Sequence, residues 1–84
     1  MNRTIEISVT EDFWESTANI SWAERDRAIG HFITWGIQID RYKKLSIYCA
    51  RDGSINATYR DEGGNLTYSM AAILKDDKTY GFHS

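Results

Sequence analysis

The chain opens on a period of two. Ile5, Ile7 and Val9 alternate with Glu6 and Ser8, the pattern of a half-buried β-strand. Acidic residues follow Thr10, and such residues favour a first helical turn, so a short turn is expected through Glu15. The period then lengthens. Ser21-Trp22-Ala23-Glu24 has the spacing of a capping box. From there Trp22, Ala28, Ile29, Phe32, Ile33 and Trp35 fall on one broad arc, with Glu24, Arg27, His31 and Thr34 on the other side. The pattern predicts one main amphipathic helix of about four turns. Gly36 is its expected stop, in the left-handed conformation that glycine adopts without a Cβ penalty. Asp40 to Lys44 reads as a charged connection.

The second half returns to alternation, and turn chemistry selects the register. A two-residue loop at Asp52-Gly53 would set Leu45, Ile47 and Cys49 beside Arg60, Thr58 and Asn56, mixing faces. A three-residue loop, Arg51-Asp52-Gly53 with Gly53 left-handed, pairs Cys49 with Ile55 and Ile47 with Ala57. By the same test a four-residue loop, Asp61 to Gly64, pairs Tyr59 with Leu66 and Ala57 with Tyr68. A three-residue loop, Asp76-Asp77-Lys78, pairs Leu74 with Tyr80 and Ala72 with Phe82. These choices gather Leu45, Ile47, Cys49, Ile55, Ala57, Tyr59, Leu66, Tyr68, Met70, Ala72, Leu74, Tyr80 and Phe82 on one side. The expected fold is a single α+β domain over residues 1–84, an antiparallel four- to five-stranded sheet in the order β-α-β-β-β-β. The N-terminal strand joins the same sheet, and the helix packs on the apolar face. The opposite face then holds Ser46, Tyr48, Asn56, Thr58, Arg60, Thr67, Ser69, Ala71, Ile73 and His83, rich in hydrogen-bonding groups and open to solvent or a partner.

Composition narrows the function classes. The net charge of −2 is too small for a nucleic-acid mimic or a strongly nucleic-acid-binding protein. Its distribution is uneven. Residues 1–24 set Arg3 against Glu6, Glu11, Asp12, Glu15 and Glu24, whereas residues 41–60 set Arg41, Lys43, Lys44, Arg51 and Arg60 against Asp52. The single cysteine, Cys49, makes no internal disulfide, which suits a reducing compartment. Met1-Asn2-Arg3 carries no leader pattern, and no apolar run approaches the ~20 residues that span a bilayer. A cytoplasmic protein without membrane attachment is expected.

No motif for catalysis, metal or cofactor stands out, and none of these roles is expected. His31 has no metal-ligand spacing around it and reads as a surface histidine. His83, near the end of this sequence, is a poor general base but a candidate for partner contact. Cys49 falls on the core face, where a thiol is inert. Asp61-Glu62 and Asp76-Asp77 sit in turn contexts that favour aspartate anyway. Aromatics beside arginine have the composition of interface hot spots. The contact candidates are therefore Tyr48 with Arg60, Asn56 and Thr58 on the open face, Tyr42 beside Lys43 and Lys44, and His83. Trp14 is likewise not required by the core pattern.

Compact, proline-free, rich in tyrosine and tryptophan and without an enzymatic motif, the chain resembles the small inhibitors of bacterial defence encoded by phages and other mobile elements, the anti-CRISPR type. The resemblance covers the chain as a whole and carries no functional residue with it. It implies a steric mechanism, in which the domain sits on a subunit of a host defence complex, such as a CRISPR-Cas subunit, in the host cytoplasm. Direct nucleic-acid binding and self-association, as in a homodimeric regulator or antitoxin, are the alternatives.

Overall fold

The structure, a computed structural model, describes residues 4–39 and 41–84. Met1-Asn2-Arg3 and Asp40 of the charged connection lie outside the described residues. The elements run β1 (Glu6–Val9), α1 (Glu11–Ser16), α2 (Trp22–Gly36), β2 (Lys44–Cys49), β3 (Ile55–Arg60), β4 (Leu66–Leu74) and β5 (Tyr80–His83). The strands form one sheet in the order β1-β2-β3-β4-β5. The expected α+β class and its main helix are present. Among the described residues no helix is long and apolar enough to cross a membrane.

Two of the three hairpin registers match those read from the turns. Cys49 pairs with Ile55 and Ile47 with Ala57, across a loop in which Gly53 has φ +87°. Leu74 pairs with Tyr80 and Ala72 with Phe82, with Lys78 left-handed in the corresponding turn position. The middle hairpin differs. Asp61 N–H donates to Asn65 O, so the loop is Glu62-Gly63-Gly64 with Gly64 at φ +84°. Arg60 then pairs with Leu66 and Tyr59 with Tyr68, which leaves Thr67 as the extra residue of a bulge. The Thr67 hydroxyl stays satisfied by donating to Tyr59 O at 2.9 Å. The bulge moves Leu66 off the core face, and it is 52% exposed.

The antiparallel expectation fails at one edge. β1 runs parallel to β2, pairing Ile7 with Leu45 and Val9 with Ile47. The helices between these strands supply the long crossover that parallel pairing needs and a tight turn cannot.

The helix also sits differently from its hydrophobic pattern. Ser21 caps it, accepting from Glu24 N at 3.2 Å. Its buried residues are Glu24, Arg25, Ala28, Phe32 and Gly36, whereas Trp22 is 66% and Ile33 38% exposed. The buried stripe is thus rotated by roughly 40° from the apolar arc, at about 100° per residue. The reason lies at β5. Thr79 O bonds Lys75 N, so by alternation Tyr80 turns its own N–H and C=O to the outer edge of the sheet. The Glu24 carboxylate accepts from Tyr80 N at 2.6 Å, and Arg27 donates to Tyr80 O at 2.8 Å. Arg27 also grips both Glu24 oxygens, at 2.8 and 2.6 Å. The pair acts as a missing neighbouring strand and blocks an edge otherwise open to aggregation. It holds Glu24 below the usual carboxylate range, chiefly through Arg27, against the opposing effect of burial.

The core lies between α1, α2 and the sheet. Phe13, Phe32, Leu45, Ile47, Ala57 and Tyr59 have no exposed surface. The Tyr59 hydroxyl donates to Phe32 O at 2.6 Å, which ties the middle of the sheet to the middle of α2. Tyr42, expected as a contact residue from its basic neighbours, is 3% exposed and packs edge-on against Tyr59 at 5.2 Å. Its burial removes it as a surface contact. Tyr42 also explains Gly36. This glycine is helical, and the residue after it is right-handed, so it is not the left-handed stop. A Cβ there would fall on the Tyr42 hydroxyl and lie 2.9 Å from Cζ.

Gly36→Ala is therefore expected to destabilise the fold by about 1–3 kcal/mol through overpacking, despite alanine's better helix propensity. Thermal unfolding monitored by circular dichroism checks it. Glu24→Ala leaves the buried Tyr80 N–H unpaired and is expected to cost about 1–3 kcal/mol. Hydrogen exchange in this variant should accelerate first at Tyr80 and its neighbours on β5.

Candidate functional site

The sheet has one covered face and one open face. On the covered face Leu45, Ile47, Ile55, Ala57, Tyr59, Met70, Ala72 and Tyr80 are buried. On the other, Ser46, Tyr48, Asn56, Thr58, Arg60 and Ala71 are half-buried, and Thr67, Ser69, Ile73 and His83 are exposed. The physical cause is strand alternation under a single helical layer.

The registers arrange this open face in transverse rows. Glu6, Lys44, Arg60 and Leu66 form one, Ser8, Ser46, Thr58 and Ser69 the next, and Tyr48, Asn56, Ala71 and His83 a third. Six of the eight candidate contact residues thus share one surface. The expected grouping of Tyr48 with Arg60 is corrected in detail: they share the face but stand two rows apart, about 13 Å at the rise of a strand. Tyr48 is grouped instead with Asn56 and His83. Lys43 flanks the first row, in an open depression of about 450 Å³ lined by Glu6, Lys43, Lys44, Arg60, Asp61, Glu62 and Gly64.

Local bonds determine what each group has to offer. Arg60 donates to Gly64 O at 3.1 Å, which orients its guanidinium toward the loop. Asn56 Nδ2 donates to Ser54 Oγ at 3.2 Å. Lys44 lies 3.7 Å from Glu6, an exposed pair of little energetic weight. Asp61 accepts from Asn65 N at 2.9 Å and Gly63 N at 3.0 Å, and these backbone bonds hold its carboxyl below the usual range. Asp52 and Asp77 do the same in their turns, each accepting from the hydroxyl and N–H two residues on. The aspartates are thus turn residues. Among the described residues no group of three or more His, Cys, Asp or Glu side chains is placed to hold a metal ion.

His31 and Cys49 do different work. Cys49 is half-buried, and its thiol donates to Ala50 O at 3.4 Å. His31 is not a plain surface histidine. Its ring stacks on Phe82 at 3.7 Å and 10°, with Trp35 parallel at 6.2 Å on the same helix. Burial, and next the charge of Arg27, push His31 below the ordinary imidazole range.

The pattern missed one surface feature. Trp22, assigned to the core, is exposed beside Trp14, and Arg25 is buried beneath it. The available signal was position: Trp22 is the first residue of the helix, lateral to the stripe centred on Ala28 and Phe32.

Because burial and Arg27 lower the His31 pKa in the fold, its unfolded form binds the proton more readily. Its contribution is therefore absent above the unfolded pKa near 6.5, and stability falls as pH drops below that value toward the lower folded pKa. Melting temperatures of the wild type and His31→Gln between pH 7.5 and pH 5 should differ in slope, with the flatter dependence in the variant.

Comparisons of the chain with protein-family models, with curated protein sequences and with solved structures return no match, so the reading of this surface rests on its own geometry.

Proposed function

We propose that the chain is a small non-enzymatic module that binds another protein through the open face of its sheet. The observation that carries this reading is a polar face, left without a covering element, in whose paired strand rows Glu6 at the edge is the sole carboxylate among the described residues. Hydroxyl, amide, imidazole and guanidinium groups there stand on rigid strands, which lowers the entropic cost of recognition. The resemblance in size and composition to anti-CRISPR-type inhibitors adds the specific form of the proposal: the domain occludes a working surface of a host defence complex by steric block, in the host cytoplasm.

Direct binding of single-stranded nucleic acid is the reading set against it. It draws on Tyr48 and His83 in one row and Lys44 and Arg60 in another. Two features weigh against it: Glu6 stands in the same row as the two cations, and Arg60 is turned to Gly64 O. Affinity for an oligonucleotide would drop steeply between low and physiological salt.

The test is partner capture by the full chain and by a Tyr48→Ala/Arg60→Ala variant that samples both ends of the face. The wild type is expected to retain a defined host protein, and the variant to lose it by about tenfold or more while keeping its melting temperature. Undiminished capture by the folded variant rules out this face.

A further inference from the structure

We propose that the exposed pair Trp14 and Trp22 forms a second recognition site, on the helical layer, that docks a basic segment of a partner protein through its lysine or arginine side chains.

The aromatic surface is built and held. Phe13, with no exposed area, meets Trp14 edge-on at 4.9 Å. Trp14 lies 6.0 Å from Trp22, tilted by 43°. The Arg25 guanidinium rests 3.8 Å from the centroid of Trp22 and supports the ring from within. Arg25 is only 7% exposed, and its Nε has no hydrogen-bond partner among the described residues. A buried, unpaired donor is a cost, and so is the apolar area of a tryptophan left 66% exposed. A covering partner would recover much of the second. The rings are already positioned, so little rotamer entropy remains to be lost on binding.

The surrounding charge selects the partner. Glu11 stands three residues before Trp14, and Asp26 four residues after Trp22, spacings that place each beside its ring on the helix surface. Glu15 follows Trp14 directly. All three carboxylates are exposed and make no hydrogen bond or ion pair among the described residues. α1 contains no basic residue. Arg25, beneath the Trp22 ring, offsets one of the three from below and leaves the surface around the indoles net negative. An exposed indole face bordered by unpaired carboxylates is complementary to an ammonium or guanidinium, which gains cation–π attraction and an ion pair together. The same charges repel phosphates of nucleic acid or anionic lipid. The site is separate from the open sheet face and does not depend on it.

Titration of the full chain with a tri-arginine peptide amide, followed through the indole N–H resonances, tests the site. The expected result is saturable shifts at Trp14 and Trp22 that exceed those at the half-buried Trp35. Trp22→Ala and Glu11→Gln/Asp26→Asn should each weaken binding about fivefold or more, and Tyr48→Ala/Arg60→Ala should leave it unchanged. Equal shifts from a tri-glutamate peptide, undiminished binding by both site variants, or transfer of Trp22 into phosphatidylcholine vesicles would overturn the proposal. Loss of binding only in Tyr48→Ala/Arg60→Ala would overturn it too, by assigning the cation to the sheet face.

Discussion

The arrangement depends on how α2 meets the edge of the sheet. An edge strand turns alternate peptide groups outward, and these must find partners. Tyr80 finds them in Glu24 and Arg27, one accepting from its N–H and the other donating to its C=O. To reach that peptide the helix presents Glu24 inward, which fixes its rotation about its own axis. Ala28, Phe32 and Gly36 then face the sheet, and Trp22 and Ile33 are carried outward. One polar contact at an edge thus decides which apolar residues are buried and which remain at the surface.

With the rotation set, close packing does the rest. Gly36 lets the Tyr42 ring approach the helix end, Tyr42 supports Tyr59, and the Tyr59 hydroxyl returns to the helix at Phe32. Burial pushes the Tyr59 hydroxyl far above its ordinary range, in keeping with its role as a buried donor. His31 stacks on Phe82 and extends the same contact to the last strand. The helical layer is fully engaged on one side of the sheet, and no second layer follows in the described chain. The other face is left polar, as a sheet must be when it meets water.

The two proposed surfaces follow from this geometry. The open face extends over all five strands and contains Lys44, Arg60 and a row of hydroxyls, which suits a polar protein surface. The Trp14–Trp22 site is compact, aromatic and bordered by carboxylates, which suits a protruding cation. They lie on different layers, so a module of this size has room for two contacts that do not compete.

Much of this was legible in the residues alone. Alternation located the strands, and the loop lengths that keep one face apolar set two registers, with Gly53 supplying the left-handed residue of the first. The open face and five of its candidate residues followed from the same parity, whereas Lys44, read as part of the connection, joins the face as the first residue of β2. What the chain could not reveal were choices made by nonlocal contacts. The bulge at Thr67 adds a residue without breaking the local pattern, since a second glycine allowed either loop length. The parallel pairing of β1 depends on where the helices return the chain, not on the strand itself. Tyr42 looked exposed because its neighbours in sequence are charged, yet Gly36 opened a place for it in the core. Above all, hydrophobic periodicity counts apolar area and takes no account of an unpaired peptide some fifty residues away. Local sequence determined which elements form and which faces they have; the tertiary structure decided how far the helix turns, because only there does Glu24 meet Tyr80.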